Sequence, residues 1–377
     1  MKFHYHLPVN LIFGQGEIRQ IGQRAAALGT RALIVTGGGS TKRSGLLEKT
    51  KALLEESGVS SIVFDKVTPN PLTTIVYEGA RRAIEEGCDL VVALGGGSSI
   101  DAAKGIAFQA MNGGDISEYI FGHKVSDKAL PLIAVPTTCG TGSEGNGFAV
   151  MTNPETMDKK SLRCKAIVPA CSIIDPLLMT TMPKRTLACV GFDALCHNME
   201  AYLSSASQPI TAMQALEGSS LAAHSLRRVY ADRSDLEGWE GLCLASTLGG
   251  MVIGVSGVTT PHGMEHPASG LRNNLPHGEG LAALTPAVTR HTLPAGKEKY
   301  EVLAKHIGGE SSTDIVEEIE HILDQIDLKI RLSDYGITAS DVPWMAENCL
   351  KVSAGGLKAH PRFFGRSELE QIYSECL

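Results

Sequence analysis

The stretch ALGGGSSIDAAKG (93–105) carries more about the fold than any other: the apolar run DLVVALG (89–95) breaks into three glycines and two serines and passes directly into a helical pattern. Glycines let a phosphate approach the backbone closely, and the free N–H groups and positive end of the following helix favour an anion there. A dinucleotide pyrophosphate fits that chemistry, with Gly96, Gly97, Ser98 and Asp101 at the loop and the first helical turn. The same residues also suit a tight strand–helix turn capped by a serine or by Asp101, and their spacing differs from G-x-G-x-x-G. Alone, the loop leaves both readings open.

The alternation continues on either side. RALIVTG (31–37), SIVFDKV (61–67) and LPLIAVP (130–136) are runs of buried-strand length, separated by LLEKTKALLEESG (46–58), TIVYEGARRAIEEG (74–87) and SIDAAKGIAFQAM (99–111), whose apolar residues recur at helical spacing. Strand–helix alternation predicts a parallel sheet covered on both faces, with ligands beyond the carboxyl ends of its strands. After about residue 180 the strand-like runs fade. TDIVEEIEHILDQI (313–326) sets five apolar residues along one stripe opposite carboxylates, as an amphipathic surface helix does. The expected organisation is an α/β dinucleotide-binding domain over residues 1–180 and an all-α domain over 181–377, with the active site in the cleft between them.

Composition narrows the classes. At roughly 100–200 residues per domain, 377 residues favour two domains, and 43% hydrophobic with 20% charged residues is an ordinary soluble composition. The formal charge of -7, with no basic run able to track a phosphate backbone, speaks against nucleic acid as a partner. Nine scattered cysteines without a C-x-x-C argue against a disulfide framework or a thiolate zinc site and point to the reduced cytoplasm. The beginning, MKFHYHLPVNLIFG, lacks the apolar core and cleavage site of a signal peptide and reads as a first strand. Gly241–Pro261 carries no charge over the ~20 residues a membrane span needs, but its Gly, Ser and Thr content and the polar HGMEH after it favour a helix buried in a bundle.

Two further Gly-rich loops follow predicted strands. In TGGGSTKRSG (36–45), the place where dinucleotide enzymes often carry an acid on the ribose 2′-hydroxyl is taken by Gly37, Gly38, Gly39 and Ser40, with Lys42 and Arg43 close behind. A 2′-phosphate is admissible there; a surface turn with two solvated bases is the plainer alternative. PTTCGTGSEGNG (136–147) offers the hydroxyls of Thr137, Thr138, Thr141 and Ser143 to phosphate or nicotinamide groups.

The second half holds a candidate metal constellation. In GFDALCHNMEAYL (191–203), Asp193 and His197 lie four apart on one helix face, and TPHGMEHPASGLRNNLPHGEG (260–280) carries His262, His266 and His277 within 16 residues. HGMEH is not the zinc-protease H-E-x-x-H, because Glu265 adjoins the second histidine and Pro267 argues against helix continuation. Asp193, His197, His262 and His277 would give three imidazoles and one carboxylate, a set suited to divalent iron or zinc. An ion there can act as a Lewis acid on an alcohol oxygen while hydride leaves the carbon. His266 can relay the proton or simply orient a ligand by hydrogen bonding.

Taken in order, NLIFGQGEIRQIG (10–22), VTPNP (67–71), GGGSSIDAAKGIA (95–107), PTTCGTGSE (136–144), GFDALCHNMEAY (191–202), HGMEHP (262–267), NLPHGEG (274–280) and AHPR (359–362) resemble the iron-containing (group III) alcohol dehydrogenase family. The resemblance runs nearly end to end. It implies the dehydroquinate synthase-like fold of that family, a dinucleotide-binding α/β domain plus a helical domain, and metal ligands at Asp193, His197, His262 and His277. It implies cofactor contacts at Asn70, Gly97, Ser98, Asp101, Thr138, Thr141, Asn146 and Lys160, with Lys159 the adjacent alternative, a proton-transfer or substrate-positioning role for His266, and Phe148 in the pocket wall. Where members preferring NAD carry an aspartate, this chain has Gly37 and looks like the members preferring NADP. The implied activity is a metal-dependent alcohol dehydrogenase or aldehyde reductase, iron-loaded with zinc as the alternative ion, using NADP(H) and a small primary alcohol or aldehyde, in a homodimer. A zinc- and NAD-linked polyol dehydrogenase of the glycerol type and a dehydroquinate synthase-like lyase are the competing readings.

Overall fold

Four apolar runs of the first half lie side by side in one sheet. The computed structural model describes residues 2–377. Its strands are β1 (Leu11–Phe13), β2 (Arg31–Gly37), β3 (Ser60–Val67), β4 (Leu90–Gly95), β5 (Leu132–Pro136), β6 (Phe148–Thr152), β7 (Lys159–Arg163) and β8 (Cys171–Ile174). Six of them form a sheet of order β1-β8-β5-β4-β2-β3, parallel at every pairing. Because side chains alternate along a strand, Leu33, Val35, Val91 and Ala93 enter the core beneath helices Thr73–Glu85 and Gly97–Asn112. Ala32, Ile34, Val92 and Leu94 enter the core on the opposite face, with helix Leu46–Glu56. Burial on both faces is why these strands are continuously apolar rather than alternating.

Two expectations fail in detail. The beginning of the chain is a strand only over Leu11–Phe13, at the sheet edge, and residues 2–10 have no regular structure; Met1 lies outside the described residues. The antiparallel hairpin β6–β7 was not anticipated, because KKSLR (159–163) has no run of apolar residues. It leans against the helical half and forms one wall of the cleft.

The last strand ends at Ile174 and the first long helix, Lys184–Leu203, opens the helical half. That helix is buried along nearly all its length beside Pro209–Ala231 and Leu236–Ser256. The helix Leu236–Ser256 is long and apolar enough to cross a membrane, yet Trp239, Leu242, Cys243 and Ala245 are core residues packed among its neighbours. Next come Thr260–Leu271 and His277–Ile307, the latter kinked at Gly296. Contrary to the sequence expectation, the helix carrying HGMEH continues through Pro267 to Leu271. Proline forfeits one helical hydrogen bond, and in this almost wholly buried helix tertiary packing overrides the local penalty. All nine cysteines are free.

Candidate active site

Gly95 ends β4 with φ +155°, where a side chain would press on Ser99, and a Cβ on Gly97 would stand 2.3 Å from Thr141 Cγ2. Glycine is therefore required for the loop after β4 to lie flat against the loop after β5. Helix Gly97–Asn112 starts here with its N–H groups facing a cleft of about 590 Å³ lined by Asn70, Gly96, Gly97, Ser98, Thr138 and Thr141. A second cavity, about 620 Å³, is bounded by Ser40, Arg43, Thr137 and Thr138. Gly37 and Gly38 lie at the end of β2 just before it. Thr138 borders both cavities, so the three loops face two adjoining cavities that together make a channel. Three other predicted residues are committed to the protein itself. Asp101 accepts from Ser143 Oγ (2.6 Å) and from Val150 N–H (3.0 Å), Asn146 donates to Gly250 O (2.9 Å), and Asn70 donates to Asn273 O (3.2 Å). They hold the loops that form the channel, and all three also line the cavity beside His262 and His266.

The channel ends at the helical half, on Asp193 and His277. Asp193, His262 and His277 present one donor atom each within 4.8 Å of one another. His262 Nε2 is 3.4 Å and His277 Nε2 3.8 Å from Asp193 Oδ1. Asp193 Oδ1 and His262 Nε2 are buried with no hydrogen-bond partner, a cost of about 1–3 kcal/mol for each such group that a bound cation would remove. The donor set and these orphaned atoms fit a divalent metal. His197 lies beside the cluster, its ring 4.4 Å from that of His262, but its Nδ1 turns towards Gly140 O (3.3 Å) and Asp193 (3.4 Å), outside the three-residue group.

Two carboxylates that sequence reading did not select support the imidazoles from behind. Glu200 Oε1 is 2.6 Å from His262 Nδ1, and Glu265 Oε2 is 2.5 Å from His277 Nδ1. Engaging Nδ1 leaves Nε2 of each ring for the cluster and makes it a better donor. Burial alone would lower the pKa of His262, but Glu200 and Asp193 on either side raise it to about 10. Burial would likewise raise Asp193, yet the imidazoles around it hold it well below the usual carboxylate range. Glu200 follows Asp193 and His197 at helical spacing, which was the available signal.

The lysine expectation needs correction. Lys160 Nζ donates to Val352 O (2.6 Å) on the far side of the hairpin, whereas Lys159 Nζ reaches into the cleft to Asn70 Oδ1 (3.0 Å), Glu265 Oε2 (3.2 Å) and Ser269 Oγ (2.8 Å). Strand alternation decides this: neighbours in β7 face opposite sides. His266 lines the same cleft, its ring 6.0 Å from His277 and 6.5 Å from His262, and burial together with the Lys159 charge lowers its pKa well below the ordinary value. Phe148 and Arg163 complete the outer wall.

A doubly covered parallel sheet whose glycine loops open onto a buried Asp/His cluster defines a class of site, one that sets a dinucleotide-binding cleft beside a divalent metal centre; the matching families make it that of oxidoreductases acting on CH–OH donors. Residues 8–176 match the iron-containing alcohol dehydrogenases, and residues 187–377 match the C-terminal part of the same family. The chain belongs to the iron-containing alcohol dehydrogenase family. It is 36% identical to 1,3-propanediol dehydrogenase of Citrobacter freundii over 99% of this chain and 98% of that protein. Among solved structures, an archaeal halo-thermophilic alcohol dehydrogenase from a Red Sea brine pool superposes with a TM-score of 0.96 at 33% identity, covering 100% of this chain and 99% of that one. The NADH-dependent butanol dehydrogenase A of Thermotoga maritima gives 0.90 at 30%, covering 100% and 98%. These relatives favour neither the glycerol-type polyol dehydrogenase nor the dehydroquinate synthase-like lyase.

Proposed function

We propose that the protein transfers a hydride between NADP(H) and a small primary alcohol or aldehyde, with ferrous iron held by Asp193, His262 and His277 and completed by His197. The observation that carries this reading is the pair of buried, unpartnered atoms Asp193 Oδ1 and His262 Nε2 at the end of the glycine-lined channel. A divalent ion at this position supplies Lewis acidity towards the substrate oxygen. Glu200 and Glu265 fix the imidazoles, and the helix start at Gly97 and Ser98 binds the pyrophosphate. Lys159 and Asn70 tie the β6–β7 wall to the helical half. His266, which lines the cleft beside His262 and His277, is placed to pass a proton between the substrate oxygen and solvent.

Support for NADP(H) comes from the loop after β2: no carboxylate stands at Gly37, and Arg43 folds so closely over Gly39 that a Cβ there would lie 2.3 Å from its Nη1. Lys42 pairs with Asp65, which neutralises the nearby acid of β3. This differs from the NADH dependence of the Thermotoga enzyme. We further assign the cytoplasm as the compartment and a homodimer joined along the free edge of β1; light scattering that finds only monomer would remove the dimer. The central test is anaerobic consumption of NADPH, and separately NADH, with butanal on iron-loaded protein beside a metal-stripped control. Metal-dependent turnover, faster with NADPH, is expected. No turnover with either dinucleotide despite bound metal would overturn the reading, and faster turnover with NADH would overturn its cofactor part.

A further inference from the structure

Asn70, in the loop between β3 and helix Thr73–Glu85, is one of three non-glycine residues with positive φ among the described residues, at +51°. Asparagine tolerates this left-handed conformation better than most residues, and a side chain held there often serves a site. Its buried amide bridges three segments. Nδ2 donates to Asn273 O (3.2 Å) and to Leu275 O (3.3 Å), and Oδ1 accepts from Lys159 Nζ (3.0 Å). An ammonium only donates and a carbonyl only accepts, so the orientation of the amide is fixed and both of its N–H donors are spent. Aspartate would bring no donor to the two carbonyls and serine only one. A primary amide on a short stem is what these three partners require.

Two of the contacts lead to His277. Leu275 is wholly buried and stands two residues before His277, which begins the helix His277–Ile307. Lys159 Nζ is 3.2 Å from Glu265 Oε2, and that same oxygen lies 2.5 Å from His277 Nδ1. Of the three clustered donors, His277 has the least packing around it: its side chain is 23% exposed, against 4% for Asp193 and 3% for His262. His262 takes its support from Glu200, within the helical half. The support of His277 crosses the cleft from the dinucleotide-binding half.

We infer that Asn70 is a positioning residue for the metal centre: it holds His277 in place across the cleft, through the backbone at Leu275 and through Lys159 and Glu265, and its amide is committed to this rather than to the cofactor. The inference rests on the metal reading above and extends it to a residue outside the ligand set. Removing the amide releases the turn before His277 at Leu275 and takes one acceptor from the lysine that balances Glu265.

The test uses the full chain with Asn70→Gly, which keeps the backbone angle and deletes the amide, and with Asn70→Ser, whose single hydroxyl serves only part of the three partners. Affinity for ferrous iron is read anaerobically by competition with a chromogenic chelator, and affinity of the metal-free proteins for NADPH by fluorescence titration. Asn70→Gly is expected to weaken iron binding about tenfold or more, the scale of losing a group that orients a ligand. Asn70→Ser should fall between it and the unsubstituted protein, and NADPH affinity should be the same in all three. The visible spectrum of the cobalt(II)-loaded protein adds a readout that a loss of stability alone would not move: its bands should change in intensity in Asn70→Gly, because His277 sets one corner of the coordination. The opposite split, weaker NADPH binding with iron affinity and cobalt spectrum unchanged, would make Asn70 a cofactor contact and overturn the inference. Variants that only unfold at lower temperature, with both affinities retained, would overturn it as well. Unsubstituted protein that binds no iron would instead overturn the metal reading, and the inference with it.

Discussion

Replacing Glu265 by glutamine removes one charge and almost no volume, at a wholly buried position. Its Oε2 lies 2.5 Å from His277 Nδ1 and 3.2 Å from Lys159 Nζ. In the variant, Lys159 keeps the neutral partners Asn70 Oδ1 and Ser269 Oγ but loses the carboxylate contact it makes among the described residues. Breaking a buried pair by removing one partner costs about 3–5 kcal/mol; with two neutral acceptors retained, the lower figure is expected. The second effect falls on His277. A carboxylate holds the proton on Nδ1 and leaves Nε2 as the donor, whereas an amide can also donate to Nδ1 and favour the other tautomer. Losing such a support typically weakens metal binding about 10- to 100-fold, or about 1.4–2.8 kcal/mol. The assay is anaerobic competition for ferrous iron against a chromogenic chelator, with calorimetric unfolding of the metal-free protein alongside. A folded Glu265→Gln variant with unchanged iron affinity would refute the assignment of Glu265 as the group that orients His277.

Three other outcomes follow from the same structure. His277→Ala should lose metal and activity together while still binding NADPH in the channel, as metal analysis and fluorescence titration would report; full metal content with retained turnover would exclude His277 as a ligand. Gly37→Asp is sterically tolerable, since a Cβ there meets nothing closer than Val67 O at 3.4 Å. Its carboxylate should repel a 2′-phosphate and shift the NADPH-to-NADH ratio of kcat/KM by about tenfold or more towards NADH, and an unchanged ratio would reject the assigned site. His360 is buried, bonded to Thr292 Oγ1 at 2.7 Å, and burial lowers its pKa to about 4. Between pH 6.5 and 4 the unfolded chain therefore takes up a proton that the native protein refuses. Stability should fall by about 1.4 kcal/mol per pH unit across that window on this account, and denaturant titrations of His360→Asn should show a shallower acid slope.

Part of the site's logic is electrostatic economy. The three clustered donors of Asp193, His262 and His277 carry a single formal negative charge, so a divalent ion bound there keeps net positive charge beside the substrate oxygen. Glu200 and Glu265 stand behind two of the imidazoles, with Lys159 balancing Glu265. The outer wall differs: Arg163 there is exposed and stacked on Phe148, with no acidic partner among the described residues.

Local periodicity was enough to recognise β2, β3, β4 and β5 with the helices between them, because burial on two faces and on one stripe leaves different spacings in the chain. The glycine loops and the Asp193/His197 pair were legible for the same reason, since short-range geometry fixes which neighbours share a face. Lys159 against Lys160 was not, because a strand's parity is set only when its partner fixes the register, and β7 lacks an apolar pattern to reveal it. Arg163 escaped notice on the same ground. Glu265 was visible beside His266 but gained its role only when helix Thr260–Leu271 continued through Pro267 and met His277 on the next helix. The convergence of Asp193, His262 and His277 to within a few ångströms, and the contact of His197 Nδ1 with Gly140 O, were likewise decided by packing: coordination and charge pairing depend on distances between segments far apart in the chain, and no local pattern encodes those distances.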